Sequence, residues 1–427
     1  MCQDAAMKRT TIFILCDALR SEYLERGEMP FLKEMSQKGY FSHNVKQSFG
    51  FCERSEIISG LQGDKSGFIT AVGSSNISPY RRLAWLCYLF SAFETFLKSS
   101  FLPAVISEKG QEVLKKIFTK LSSFMGIQMK PYYIPYNYLP KLNYTEDFFD
   151  HTSPEVFGTP SIYDLVRQVG GVFSTASFTA LGQKSPYITD MDRLEGGLKW
   201  LEATESKTND RLLMIYLNLP DSSGHKYGPS GVAMNKCLRD VDKLLEDFKE
   251  SVEKIVNHEI CFTILGDHGM ADVVEHVDIE KLVQQHARDQ NISLNRDVMY
   301  FLDSTVARFW GLTSDGRKFV SHLKEQESFH HYGKWMTNEL ANTWDILWPN
   351  PSYGDELWVA NTGALIFPDF FHRDDPYLGM HGYDPTLPVN QGLLVSWGDG
   401  VDIHEVPMIK LSQVYEVLKR YILRGVK

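Results

Sequence analysis

No apolar run in this 427-residue chain is long enough to cross a bilayer. The longest, Leu83–Phe90, falls far short of the ~18–20 residues a spanning helix needs. Internal repeats and low-complexity linkers are lacking too, and so is any excess of positive charge. Lys and Arg number 44 against 54 Asp and Glu, a formal net charge of −10. That balance argues against a nucleic-acid polymer as partner, because phosphate backbones demand a basic surface. It suits a protein that uses carboxylates to bind cations. Cysteine is scarce: Cys2, Cys16, Cys52, Cys87, Cys237 and Cys261 show no paired spacing. Cys16 and Cys261 fall in strand-like runs, where a reduced thiol behaves as a small hydrophobe. Met1–Thr10 is short and polar and has no apolar signal-peptide core. A reducing cytoplasm is the expected location, with contact at a membrane surface as an addition to it.

What is present supports a large core. With 43% hydrophobic and 23% charged residues, one α/β domain with insertions fits as well as two or three separate units. Three segments read as buried strands, each followed by a residue able to bind metal. Thr11–Cys16 stops at Asp17, Leu212–Leu217 stops before Asp221, and Ile260–Leu265 stops at Gly266-Asp267-His268. Unbroken apolar runs are what a sheet covered on both faces requires. Helical patterns at Met29–Lys38, Ser161–Val169 and Met234–Val256 lie between them. Such alternation predicts a doubly wound, mostly parallel α/β sheet with helices on both faces, and its site at the strands' carboxyl ends. Residues 75–155, helical and rich in aromatics, and residues 273–374, of mixed character, break the pattern. Both read as cap insertions, leaving 1–74, 156–272 and 375–427 as the core.

The most informative string is Asn218-Leu-Pro-Asp-Ser-Ser-Gly-His-Lys-Tyr-Gly-Pro229. It sets Asp221 and His225 four residues apart, with Gly224 read as permitting a tight bend in a short loop. Leu265-Gly-Asp-His-Gly-Met270 adds Asp267 and His268, and Gly379-Met-His-Gly-Tyr-Asp384 adds His381. With Asp17, three aspartates and three histidines make the mixed O/N shell that Zn²⁺ or Mn²⁺ accepts. His330, His331, His372 and His404 lack a partnered motif and read as surface or capping residues.

These strings, in this chain order, resemble the metal motifs of the nucleotide pyrophosphatase/phosphodiesterase branch of the alkaline phosphatase superfamily. The resemblance runs through residues 10–72, 156–272 and 375–400. It implies an alkaline phosphatase-like core and two divalent ions, zinc first, with manganese or magnesium as alternatives. One ion would be held by Asp221, His225 and His381, and the other by Asp17, Asp267, His268 and the nucleophile. The implied activity is two-metal hydrolysis of a phosphodiester or pyrophosphate through a covalent enzyme intermediate.

The chain departs from that pattern at the nucleophile. In the phosphodiesterases a Thr or Ser stands ten residues before the glycine of a Thr-Gly pair. Here the pair is Ser59-Gly60, and ten residues back is Gly50, which has no side chain. The shorter spacing of eight, seen in cofactor-independent phosphoglycerate mutases of the same superfamily, lands on Cys52. Ser48 and Ser55 stand behind it as candidates. A thiol at a helix N-terminus beside a divalent cation ionises readily. Cys52 could attack phosphorus, or bind metal while water attacks. The sulfatase pattern Cys-Xaa-Pro/Ala-Xaa-Arg is not met by Cys52-Glu-Arg-Ser-Glu56. Arg54 is read either as a phosphate contact or as the partner of a nearby acid.

The substrate stays open among a nucleotide, another small phosphate ester, and a glycan or lipid phosphate. Residues 80–127 read as a helical hairpin packed on the sheet or in a dimer interface. The alternative is a membrane-facing surface, with Arg81, Arg82, Lys115, Lys116 and Lys120 meeting phosphates. Tyr132–Tyr138 reads as a stacking platform for a base or sugar. A phosphotransferase or mutase, and a metal-bound pseudoenzyme that binds phosphorylated glycans or lipids, are the rival readings.

Overall fold

The three runs read as buried strands form the middle of one sheet. The computed structural model describes residues 8–97, 104–127, 129–146, 150–178, 186–206 and 209–424. Seven strands build the sheet: β1 (Arg9–Cys16), β2 (Tyr40–Lys46), β3 (Val172–Ser177), β4 (Arg211–Leu217), β5 (Glu259–Leu265), β6 (Gly392–Gly398) and β7 (His404–Lys410). Their spatial order is β7-β2-β6-β5-β1-β4-β3. Neighbours run parallel except around β6, which is antiparallel to both β2 and β5.

An apolar strand must be covered on both faces, and side chains alternate between them. Ile12, Ile14 and Cys16 of β1 join a cluster with helices Pro30–Gln37, Asp190–Thr204 and Val232–Ile255. Phe13 and Leu15 join another, with Arg54–Ser59, Ile162–Gln168 and Gln413–Leu423. The expected doubly wound core is therefore present. Ser161 opens its helix with a capping box. Its hydroxyl accepts the Asp164 N–H at 3.2 Å, and the Asp164 carboxylate accepts the Ser161 N–H at 2.8 Å.

The two insertions pack against each other. The second contributes a four-stranded antiparallel sheet ordered Val298–Leu302, Val306–Gly311, Glu356–Ala360 and Gly333–Trp335. The first contributes helices Ala84–Leu97 and Ala104–Phe124, then Leu142–Tyr144, which pairs antiparallel with Val72–Ser74. Tyr138 meets Tyr300 edge-on at 6.1 Å and Tyr132 meets Phe371 at 4.9 Å between ring centroids. Phe90 and Phe118 on the hairpin's inner face pack on Tyr136, and the tyrosine segment that follows the hairpin packs on the other insertion. Tyr136 and Tyr138 are buried in that shared cluster, which removes both from any stacking platform. Ala271 and Met380, close in sequence to His268 and His381, belong to the same cluster, so the caps stand on the site's rim.

Candidate metal centre

Because β1 lies between β4 and β5, the residues that follow these strands converge. Asp17 leaves β1 with its N–H donated to the Leu217 carbonyl at 2.9 Å. Asp267 leaves β5 and accepts N–H groups from Ala18 at 3.3 Å and His268 at 3.1 Å. His381 comes from far along the chain. It follows Gly379–Met380, a two-residue strand paired antiparallel with Ala271–Asp272 just past His268.

Asp221 and His225 are not in a loop. They lie one turn apart on a helix, Leu219–Tyr227, that starts directly after β4. One turn of helix aims two side chains at a common point as well as a loop would. Asp190 anchors its start by accepting the N–H groups of Asn218 at 3.0 Å and Leu219 at 2.8 Å. Gly224 answers a need for space, since a Cβ there would sit 2.4 Å from Met270 Sδ.

Among the described residues, the potential ligand atoms fall into two groups, each within a 4.8 Å span: Asp221, His225 and His381, and Asp17, Asp267 and His268. The rings of His268 and His381 stack at 3.8 Å and join them. The remaining contacts fit cations. His225 Nδ1 and His268 Nδ1 each lie 2.8 Å from a carbonyl, of Gly379 and Gly269, which commits that nitrogen's proton and turns Nε2 inward. His225 Nε2 then lies 3.2 Å from Asp221 Oδ1, and His268 Nε2 lies 3.1 Å from Asp17 Oδ1. Beyond these imidazoles, neither carboxylate oxygen has a hydrogen-bond partner among the described residues, although both are buried. Without metal the proton of a charged imidazole bridges each pair, and a metal cation in its place would satisfy the same oxygen and nitrogen.

Electrostatics within the centre follow from crowding. Burial pulls His268 down, but Asp267 and Asp17 outweigh it and hold its imidazole well above the usual range. Burial likewise pulls His225 down, and Asp221 overcomes it. His381 is driven well below the usual range by burial, then by His268 and His225. Burial pushes Asp17 up, yet His268 and the Tyr216 hydroxyl that donates to it hold its carboxyl below the ordinary value.

Cys52 belongs to neither group. It is half-buried, and its Sγ lies 3.7 Å from Thr145 Oγ1, at the root of the first insertion. Ser48 Oγ accepts the Gly63 N–H at 3.0 Å, and the buried Ser55 donates its N–H to Glu146. Of the three nucleophile candidates, Cys52 is the one with solvent access. Gly60, used to count back to it, ends helix Arg54–Ser59 in the left-handed region at φ 72°, where glycine is favoured. Arg54 is buried, its guanidinium 4.6 Å from the Phe178 ring centroid and 5.6 Å from that of Tyr216, the ring that holds Asp17.

Four residues of this neighbourhood lie outside the candidate site set, because none is a ligand or nucleophile in a partnered motif. Glu146 accepts the N–H of Arg54 at 3.1 Å and that of Ser55, so the first insertion caps helix Arg54–Ser59, which follows Cys52. Alanine at Glu146 is expected to remove about 2 kcal/mol of stability, read as a lower denaturant midpoint. Glu53 begins the same helix; burial raises its carboxyl, Arg54 opposes this, and the Asp17 charge adds to it. Tyr377 stacks on His225 at 4.4 Å between centroids and is bonded to His372, which sequence reading left on the surface. Arg308, fully buried, gives one N–H to Val72 O, while its Nε and Nη2 have no partner. Burial pushes it down to about 10, with Asp303, Tyr353 and Cys52 raising it in that order.

Known proteins share this architecture. Murine ectonucleotide pyrophosphatase/phosphodiesterase 5, solved with AMP, superposes at a TM-score of 0.64 and 17% identity, over 97% of this chain and 95% of that one. The human protein gives 0.65 and 16%, over 97% and 94%. At such identities the likeness establishes the fold. Venom phosphodiesterase 2 of Crotalus adamanteus is 23% identical over 233 residues, 52% of this chain and 27% of that protein. Bis(5'-adenosyl)-triphosphatase ENPP4 of Homo sapiens is 23% identical over 211 residues, 48% and 42% of the two. The chain thus spans about a quarter to two-fifths of the length of these curated relatives. The family profile "Type I phosphodiesterase / nucleotide pyrophosphatase" matches residues 115–384, more than half of the sequence. With the fold and the converging Asp and His side chains, this match shows that the chain belongs to the type I phosphodiesterase/nucleotide pyrophosphatase family.

Proposed function

We propose that this protein hydrolyses phosphodiester or pyrophosphate bonds in a nucleotide, or in a glycan or lipid phosphate, with two divalent cations. Zinc is the first choice, and manganese or magnesium the alternative. The observation that carries the reading is the pair of buried carboxylate oxygens, Asp17 Oδ1 and Asp221 Oδ1, which among the described residues have no partner beyond the imidazole nitrogens they face. Asp221, His225 and His381 would hold one ion, and Asp17, Asp267 and His268 the other. When bound, such a pair would supply positive charge to offset what develops in an in-line displacement at phosphorus.

The chain supplies orientation. Gly379 and Gly269 fix the ring nitrogens of His225 and His268, and Tyr216 holds Asp17 against rotation. Cys52 is the proposed attacking group. Its sulfur would bond to phosphorus as the ester oxygen leaves with a proton, and water would then cleave the S–P bond. Arg308, buried with Nε and Nη2 unpartnered among the described residues, would counter negative charge gathered near it, and the Cys52 charge is among those that raise it.

A panel of phosphate mono- and diesters assayed with Zn²⁺, Mn²⁺ and Mg²⁺ tests this reading. Full metal occupancy without turnover would establish the pseudoenzyme, and transfer to an acceptor hydroxyl the phosphotransferase. The contact of Cys52 with Thr145 favours one second reading, attack by water with no covalent intermediate. Cys52→Ala separates the two. A fall in kcat of at least about 100-fold is expected for covalent attack, and retention within about tenfold would assign attack to water.

A further inference from the structure

The chemistry above makes no use of the outer face of the hairpin. In helix Ala84–Leu97, Phe90 turns inward, 5.0 Å from Phe118 and 5.5 Å from Tyr136 between ring centroids. Trp85, Leu89, Phe93 and Phe96, spaced three or four apart, are 66%, 46%, 52% and 61% exposed. On helix Ala104–Phe124, Val113, Ile117, Leu121 and Phe124 repeat the spacing at 55%, 47%, 39% and 91%. Phe90 meets Phe118, and Gly110 lies against Leu97, so the two helices are antiparallel. Each stripe runs through the residue just before its seam residue, Leu89 before Phe90 and Ile117 before Phe118. That offset is ~100° in both helices, which in an antiparallel pair puts both stripes on the same side. Soluble surfaces rarely leave a continuous apolar face of this kind bare.

Charge identifies what would cover it. Residues 80–127 hold seven Lys and Arg against three Glu, a net +4 in a chain of net −10. A second copy would press two like-charged hairpins together, which association disfavours. We propose that the hairpin docks on a bilayer bearing anionic lipid, its Trp and Phe side chains entering the headgroup boundary and its basic residues meeting lipid phosphates. No described helix is long and apolar enough to cross a membrane, so the contact lies in the interface plane. The stem strand Leu142–Tyr144 pairs with Val72–Ser74, and Thr145 reaches Cys52, so docking holds the candidate site at the lipid surface. That consequence rests on the functional reading above; the docking itself does not.

Cosedimentation with vesicles of phosphatidylcholine, alone or mixed with phosphatidylglycerol, tests it without substrate. The protein is expected to bind the mixed vesicles, to ignore phosphatidylcholine alone, and to release in high salt. Phe93→Ser with Phe96→Ser, and separately Lys116→Glu with Lys120→Glu, should each lower the bound fraction about tenfold, with the melting midpoint unchanged. Binding no stronger than that of the Phe93/Phe96 variant would overturn the proposal. So would a dimer in solution that those two substitutions dissolve while no vesicle is bound.

Discussion

Replacing His381 with alanine is expected to lower kcat/KM for a nitrophenyl phosphodiester by at least about 1,000-fold, a loss near 4 kcal/mol of transition-state stabilisation. The reason lies in where this ring sits. It is the histidine pushed below the usual range by burial, His268 and His225, so it offers a lone pair with no proton to displace. It also stands between the two groups, stacked on His268 and 3.6 Å from Asp221 Oδ1 through Nε2. Its Nδ1 has no hydrogen bond among the described residues, so the metal-free fold takes packing from the ring but no hydrogen bond through that nitrogen. The metal-free variant should therefore melt lower only by what the packing of the ring contributes. The rise in melting midpoint that zinc gives the parent should shrink in proportion to lost affinity. A variant that keeps both that rise and its turnover would remove His381 from the centre. Because His268 and His225 are held above the usual imidazole range without metal, loading should release protons, and metal affinity should increase with pH.

The second large effect concerns stability and Glu56. This side chain is 1% exposed, accepts the Ser48 N–H at 2.9 Å, and leaves Oε2 without a partner. Burial pushes its carboxyl from the ordinary 4.5 up to about 8, with the Ser48 hydrogen bonds opposing the shift. A raised folded-state value means that the native state holds the proton more tightly than the unfolded chain. The stabilisation is complete below about 4.5, declines as pH rises, and is gone above about 8. Within that window the slope from this one group is about −1.4 kcal/mol per pH unit. Glu56→Gln keeps the acceptor, removes the titration, and is expected to flatten the slope. Urea midpoints between pH 5 and 8 measure it, and an unaltered slope in the variant would place the proton elsewhere.

Much of the catalytic core could be read in one dimension because its signals are local. Five apolar residues in a row, as in Ile12–Cys16, need cover on both faces wherever they occur, and the structure covers them with two helical layers. The aspartates and histidines were visible because each follows such a run or is flanked by glycine. Their meeting was inferred from three short strings in family order, and it is present in space. The loop read around Gly224 became a helix, since a glycine that makes room for Met270 looks the same in sequence as one that permits a turn.

Residue types and their order along the chain determined the doubly wound sheet, the six clustered side chains and the gap at Gly50. What they left undecided is whatever depends on distant segments touching. Glu146 caps a helix more than ninety residues before it, Arg308 is enclosed with an N–H on the Val72 carbonyl, and the tyrosine segment after the hairpin packs on the other insertion. Local patterns record which surfaces are apolar and which groups can donate or accept. Only the folded chain decides which partners reach them, because close packing and hydrogen bonding act over a few ångströms of space and ignore separation in sequence.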